Sequence, residues 1–286
     1  MVGRSTLAIV AGRDTLPRRI AEDRAARGLP YLVISFPGTT RPWMEGHPHE
    51  EHRFEKPGRL FRALARAGVE EVVFAGAMDR PRLRPWAADL TALGIAPHVF
   101  RLLRRGDDTL LSGLAGIFEA RGFRLVPAEA CLPGLTAGPG TLGRHRLGAE
   151  ALADARRAAA ILAALGPLDV SQAAVVARGL CLGIEAIEGT DPLLARVAAL
   201  PPPKRGPTPS GVLVKRPKPG QDRRVDLPTI GPGTVAGASR AGLLGIVVEA
   251  GGANVLDREA IVEAADAAGI ALWSAPAGEL APCPGS

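Results

Sequence analysis

A chain of 286 residues that is 47% apolar can bury a substantial core, and with only 4% aromatics that core must be built from Ala, Leu, Val and Ile. A net charge of +6 and a pI near 9.9 favour anionic partners such as nucleotides or an anionic membrane surface, while the lack of a long basic tract with interleaved aromatics argues against nucleic acid. Three cysteines (Cys131, Cys181, Cys283), none spaced as C-x-x-C, argue against a disulfide framework or zinc site and fit a reducing cytoplasm, and no run of about 18 apolar residues reads as a membrane span.

The first 130 residues alternate between short apolar runs and amphipathic segments. Residues 7–11 (LAIVA) read as a buried strand, too short for a signal-peptide core, and residues 15–28 as a helix closed by Gly28. A strand at 31–36, a helix at 57–69, a strand at 71–77, a weaker helix at 81–94, a helix at 106–122 and a strand at 123–128 follow. Between them lies HPHEEH, where Pro48 breaks any helical spacing of His47, His49 and His52; a solvated loop is the expected reading and a metal site the sharper one. This alternation predicts a parallel sheet with helices on both faces, a Rossmann-like α/β domain over residues 1–130.

Residues 131–145 are rich in Gly, Pro and Thr and read as an interdomain linker, assigned to 131–146. A second, mixed α/β domain is expected over 147–286. It begins with an Ala-rich helix at 149–166 and a β-hairpin over 170–190 that turns at Arg178-Gly179. A helix at 191–200 has Asp191 as expected N-cap and Pro192 at its first position. A proline-rich loop (201–210), a strand (211–215), a helix (231–242), a strand (243–250), a helix (257–269) and a strand (270–275) complete the chain.

Residues 215–231, KRPKPGQDRRVDLPTIG, stand out. Five cations (Lys215, Arg216, Lys218, Arg223, Arg224) flank Asp222 and Asp226, and the prolines and glycines keep the run from becoming a helix. Lysine and arginine neutralise phosphates, and carboxylate oxygens suit Mg²⁺ or Mn²⁺, so the stretch fits a phosphate-handling site. Glu185 and Glu188, in a mostly apolar hairpin, need a metal or a salt-bridge partner. The turn after the first strand, with Gly12 followed by Arg13 and Asp14, is a weaker phosphate candidate and is not G-x-G-x-x-G. Asp79 and Arg80 follow a strand and are candidate ligand contacts. Asp107 and Asp108 read either as helix caps or as metal or ribose contacts.

The segments 211–235 (GVLVKRPKPGQDRRVDLPTIGPGTV), 171–191 (SQAAVVARGLCLGIEAIEGTD), 245–266 (GIVVEAGGANVLDREAIVEAAD) and 8–17 (AIVAGRDTLP) together resemble the UDP-2,3-diacylglucosamine pyrophosphatase family of the LpxI type, in order over nearly the whole chain. The resemblance implies a Mg²⁺-dependent hydrolase of lipid A biosynthesis that cleaves UDP-2,3-diacylglucosamine to UMP and 2,3-diacylglucosamine 1-phosphate (lipid X). It also implies two domains joined by a linker, a homodimer, and a cytoplasmic protein peripheral to the inner face of the inner membrane. Carried onto this sequence, it makes Asp226 and Asp222 the catalytic acids, with Asp226 the more critical. Lys215, Lys218, Gln221 and Arg224 become pyrophosphate contacts, and Glu185, Glu188, Gly189, Thr190 and Asp191 match a family signature, with Thr190 a substrate contact. Asp222, Asp226, Glu185 and Glu188 are the expected metal ligands. Arg13 and Asp14 replace glycines of the family's N-terminal turn, which weakens a cradle role there. Two competing readings are a nicotinamide-dependent oxidoreductase, disfavoured by the missing glycine fingerprint, and a non-catalytic lipid- or nucleotide-sugar-binding protein.

Overall fold

The computed structural model describes residues 5–78, 88–89, 91–95, 107–201, 204 and 208–280, without the side chains of 107–110. It divides into two compact units: residues 1–133 with 222–226, and residues 134–221 with 227–286.

The first unit is a five-stranded parallel sheet in the order β3-β2-β1-β4-β5. Its strands are β1 (Thr6–Ala11), β2 (Tyr31–Ser35), β3 (His49–Glu51), β4 (Val69–Ala75) and β5 (Arg124–Leu125). Leu7 to Ala11 are all buried, as a central parallel strand covered on both faces requires. Helix α1 (Leu16–Ala26) connects β1 to β2, and α2 (Pro57–Arg66) connects β3 to β4. One face of the sheet (Ala8, Val10, Leu32, Ile34, Val72, Phe74) packs on Leu60 and Leu64 of α2 and on Ala115 and Phe118 of α3 (Asp107–Glu119). Val225 belongs to this same core, which explains why residues 222–226 group with the first unit.

The HPHEEH run departs from the expected loop. His49–Glu51 is an edge strand paired in parallel with Val33–Ser35. The histidines have separate partners: Tyr31 Oη for His47 (2.5 Å), Ser35 Oγ for His49 (2.7 Å) and Glu50 for His52 (3.0 Å). A solvated-loop reading missed the strand because its pairing partner lies sixteen residues away and local pattern is silent on it.

The second unit holds a six-stranded mixed sheet in the order β6-β13-β11-β9-β7-β8. The strands β9 (Val212–Lys215), β11 (Gly245–Glu249) and β13 (Ala271–Ala275) are parallel. The hairpin β7 (Ala173–Ala177) and β8 (Leu180–Ile184) adds antiparallel to β9, and β6 (Gly140–Thr141) adds antiparallel to β13. Alternation along the strands sorts the core into two layers. Val212, Val214 and Val247 face the alanines of α5 (Ala149–Leu165), the short α4 (Ala128–Cys131) preceding it in the chain. Leu213, Ile246 and Val248 face α6 (Thr190–Ala198), α7 (Pro232–Arg240) and α8 (Arg258–Ala268). A two-stranded parallel ladder, β10 (Thr229–Ile230) with β12 (Asn254–Val255), completes this unit.

The Gly/Pro-rich stretch is more than a tether. From Gly134 onward it is built into the second unit: Leu135 O accepts from Val255 N–H, Ala137 O from Gly251 N–H, and Gly140–Thr141 pairs with β13. Composition gives no sign of these backbone bonds, which satisfy amides that would otherwise stay unpaired. The hairpin turn forms as expected at Arg178-Gly179, both at positive φ. The buried carboxylate of Asp154 accepts both turn amides, at 2.8 and 2.7 Å.

Candidate active site

Lys215 is the last residue of β9, at the carboxyl end of the parallel strands, where open α/β sheets place their ligands. Its ammonium is buried, an arrangement that requires hydrogen-bond partners. Nζ donates to Thr190 Oγ1 (2.8 Å) and to the carbonyl of Thr229 (3.0 Å). Thr190 Oγ1 donates in turn to Glu185 Oε1 (2.7 Å). The result is a relay from ammonium to hydroxyl to carboxylate, with Glu185 supplying negative charge one hydroxyl removed from the lysine.

Local folding explains the relay. β8 ends at Ile184, so Glu185 and Glu188 leave the ladder and the expected alternation between sheet faces does not apply to them. α6 begins at Thr190, with Gly189 as N-cap, two residues before the start expected from an Asp191 cap. Gly189 has φ 86°, which a glycine adopts without strain, and this earlier start puts the Thr190 hydroxyl in the first helical turn.

The neighbouring cations are also matched to acids. Lys218 Nζ pairs with Asp169 Oδ1, and Arg216 with the buried Glu249 at 2.9 Å. Gln221 Oε1 accepts the Lys218 amide at 3.0 Å, closing the turn around Pro219-Gly220. Glu188 is paired with Arg196 at 3.1 Å.

Within the first unit, Arg224 grips Asp222 as a fork: Nε to Oδ1 at 3.0 Å and NH2 to Oδ2 at 2.8 Å, with its third nitrogen on Glu119 at 2.7 Å. Those bonds hold the Asp222 carboxyl below the usual carboxylate range and raise the Arg224 guanidinium further. Asp226 follows half-buried, its amide directed at the Asp222 carbonyl (3.4 Å).

The turn after β1 supplies few amides for a phosphate. Gly12 N–H donates to Ala75 O (2.7 Å), Arg13 N–H to Ala77 O (2.9 Å), and Leu16 N–H to the carboxylate of Asp14 (2.9 Å). Gly12 is required for another reason: a Cβ there would lie 2.3 Å from the backbone of Gly76. Asp79 and Arg80 lie outside the described residues, as do the side chains of Asp107 and Asp108. Among the described residues, no group of three or more His, Cys, Asp or Glu side chains forms a metal cage, and no helix is long and apolar enough to cross a membrane.

Three participants escaped the sequence reading. Asp169, Thr229 and Asn254 sit far from one another in sequence, and their types are ordinary for loops and strand ends. Only Asn254, after the Gly251-Gly252 turn that follows β11, carried a local hint that backbone and ligand approach closely there.

Two α/β units, one with a buried lysine relay at its strand ends, carry the candidate site. The chain belongs to the LpxI family: the family's N-terminal domain matches residues 6–135 and its C-terminal domain residues 138–273. A relative from Caulobacter vibrioides, UDP-2,3-diacylglucosamine pyrophosphatase LpxI, is 40% identical over 266 residues, covering 92% of this chain and 95% of its own. The solved structure of CobK precorrin-6A reductase overlaps 98% of this chain and 90% of its own at 14% identity, with a TM-score of 0.32, too low to bear on fold or function.

Proposed function

We propose that the chain hydrolyses the diphosphate bond of UDP-2,3-diacylglucosamine, consuming one water and giving UMP and 2,3-diacylglucosamine 1-phosphate. Family membership supports the reaction class, and the observation that carries the chemistry is the buried Lys215 ammonium held by Thr190 and Thr229. A buried cation in low-dielectric surroundings attracts a phosphate far more strongly than one in water. Lys215 and Lys218 bind the diphosphate, Gln221 holds the turn that carries Lys218, and Arg224 orients Asp222. Asp226 accepts a proton from the attacking water as the new P–O bond forms and the bridging P–O bond breaks.

Mg²⁺ is the proposed cofactor, with Mn²⁺ as substitute. When bound it supplies Lewis-acid stabilisation of the phosphoryl oxygens and a more acidic water. The donor set fits an ion held by one or two carboxylates and the substrate's own phosphates. Glu185 has an orphaned, buried Oε2, whereas Asp222 and Glu188 are already matched by Arg224 and Arg196. Glu185 would hold the ion. The net charge of +6 suits a protein that visits the anionic inner face of the membrane where a diacylated substrate resides. The homodimer expected from the resemblance is part of the same proposal.

The test is UMP release from UDP-2,3-diacylglucosamine with Mg²⁺ and with chelator, for wild type and Lys215→Met. Metal-dependent release that falls at least about a hundredfold in the variant supports the reading. Equal turnover by the variant refutes the role given to Lys215.

A further inference from the structure

Asn254 stands one residue from the lysine relay. Its Nδ2 donates to Thr229 Oγ1 (3.4 Å), and the carbonyl of the same Thr229 receives Lys215 Nζ. The backbone fixes it on both sides: Asn254 N–H donates to Pro228 O (2.8 Å), and β12 pairs with β10 through Thr229↔Asn254. The side chain is 4% exposed, and its Oδ1 is buried with no hydrogen-bond partner. Leaving a buried acceptor unmade is costly. Such an atom, beside the cation that binds phosphate, is an acceptor prepared for a donor the free protein does not supply.

We infer that Asn254 Oδ1 accepts a hydrogen bond from a sugar hydroxyl of the substrate next to the diphosphate. This deepens the hydrolase reading, on which it rests. The chemistry selects the class. An oxygen acceptor repels phosphate, so the group it meets must donate, and the groups joined directly to a diphosphate in a nucleotide sugar are two sugars rich in hydroxyls. Thr229 couples the two contacts, its carbonyl orienting the ammonium and its hydroxyl orienting the amide, so the phosphate and the hydroxyl are read in fixed register.

The experiment is a cycle between protein and substrate. Wild type and Asn254→Ala are each given UDP-2,3-diacylglucosamine and analogues lacking one hydroxyl: 4-deoxy or 6-deoxy in the glucosamine, 2′-deoxy or 3′-deoxy in the ribose. For the hydroxyl that Asn254 reads, wild type loses about ten- to a hundredfold in kcat/KM, Asn254→Ala loses as much on the full substrate, and combining the two adds nothing further. A glucosamine analogue showing this pattern assigns the contact to the lipid half, and a ribose analogue to the nucleotide half. Strict additivity for all four analogues overturns the inference and leaves Asn254 a structural residue. Thermal unfolding checks the fold: Asn254→Ala also removes the Nδ2 bond to Thr229, so its Tm falls, and the cycle is read at a temperature where both proteins are folded. If wild type releases no UMP, the hydrolase reading fails on its own. The same cycle is then read in Kd for the intact substrate and analogues, and additivity there overturns the inference.

Discussion

Lys215 Nζ lies 2.8 Å from Thr190 Oγ1, a bond that ties the last residue of β9 to the first residue of α6 and, through Thr190, to Glu185. The threonine methyl is dispensable in that arrangement; its hydroxyl is not. Thr190→Val keeps the shape and removes the relay, so kcat/KM should fall about ten- to a hundredfold, the scale of one lost hydrogen bond to a buried charge. Thr190→Ser should recover most of it. Equal kinetics for wild type and Thr190→Val would show that the relay does not position the lysine.

Asp222 should behave differently from Asp226. Its carboxyl is held low by Arg224, so its contribution to stability is complete above the unfolded pKa of about 3.9 and is lost as pH falls through the lower folded value. Asp222→Asn should cost at most about 1 kcal/mol near neutrality, since the pair is partly exposed. The Tm difference from wild type should shrink as the pH drops below about 3.9. A difference that grows on acidification would contradict the assigned direction.

The two described cysteines should separate cleanly. Burial pushes the Cys131 thiol up to about 12, whereas Cys181 is exposed on β8. At pH 8, in a Cys283→Ser background, a thiol reagent should label Cys181 quickly and Cys131 only after unfolding. Because the folded Cys131 pKa is raised, the stabilisation linked to it is complete below the unfolded value of about 8.5 and lost as pH rises from there towards 12. Rapid labelling of two thiols in the native protein would refute this.

Gly12→Ala should destabilise the first unit by about 1–3 kcal/mol, because the added methyl would meet the Gly76 carbon and oxygen at 2.3 Å. Thermal unfolding checks it; an unchanged Tm would mean the close approach of the two turns is relaxed at no cost.

Much of this architecture was readable from pattern. Runs such as Leu7–Ala11 and Ile246–Val248 are apolar throughout because parallel strands are covered on both faces, and Arg178-Gly179 announced the hairpin turn. What escaped was set by partners distant in sequence. His49–Glu51 becomes a strand only because β2 offers an edge, and residues 134–141 are held by backbone bonds to Gly251, β12 and β13. In the site, Lys215, Lys218 and the two aspartates were visible as a charge cluster in a proline-stiffened loop. That Lys218 faces Asp169, that Asp222 is held by Arg224, and that Thr229 and Asn254 join the relay are consequences of folding that no spacing encodes.

The most direct measurement is UMP release from UDP-2,3-diacylglucosamine by wild type and Asp226→Ala, with and without Mg²⁺, alongside binding of the same lipid. The account predicts metal-dependent release by wild type that is abolished in the variant while binding persists. Tight lipid binding with no UMP released under any divalent metal would contradict the hydrolase and leave a nucleotide-sugar-binding protein in its place.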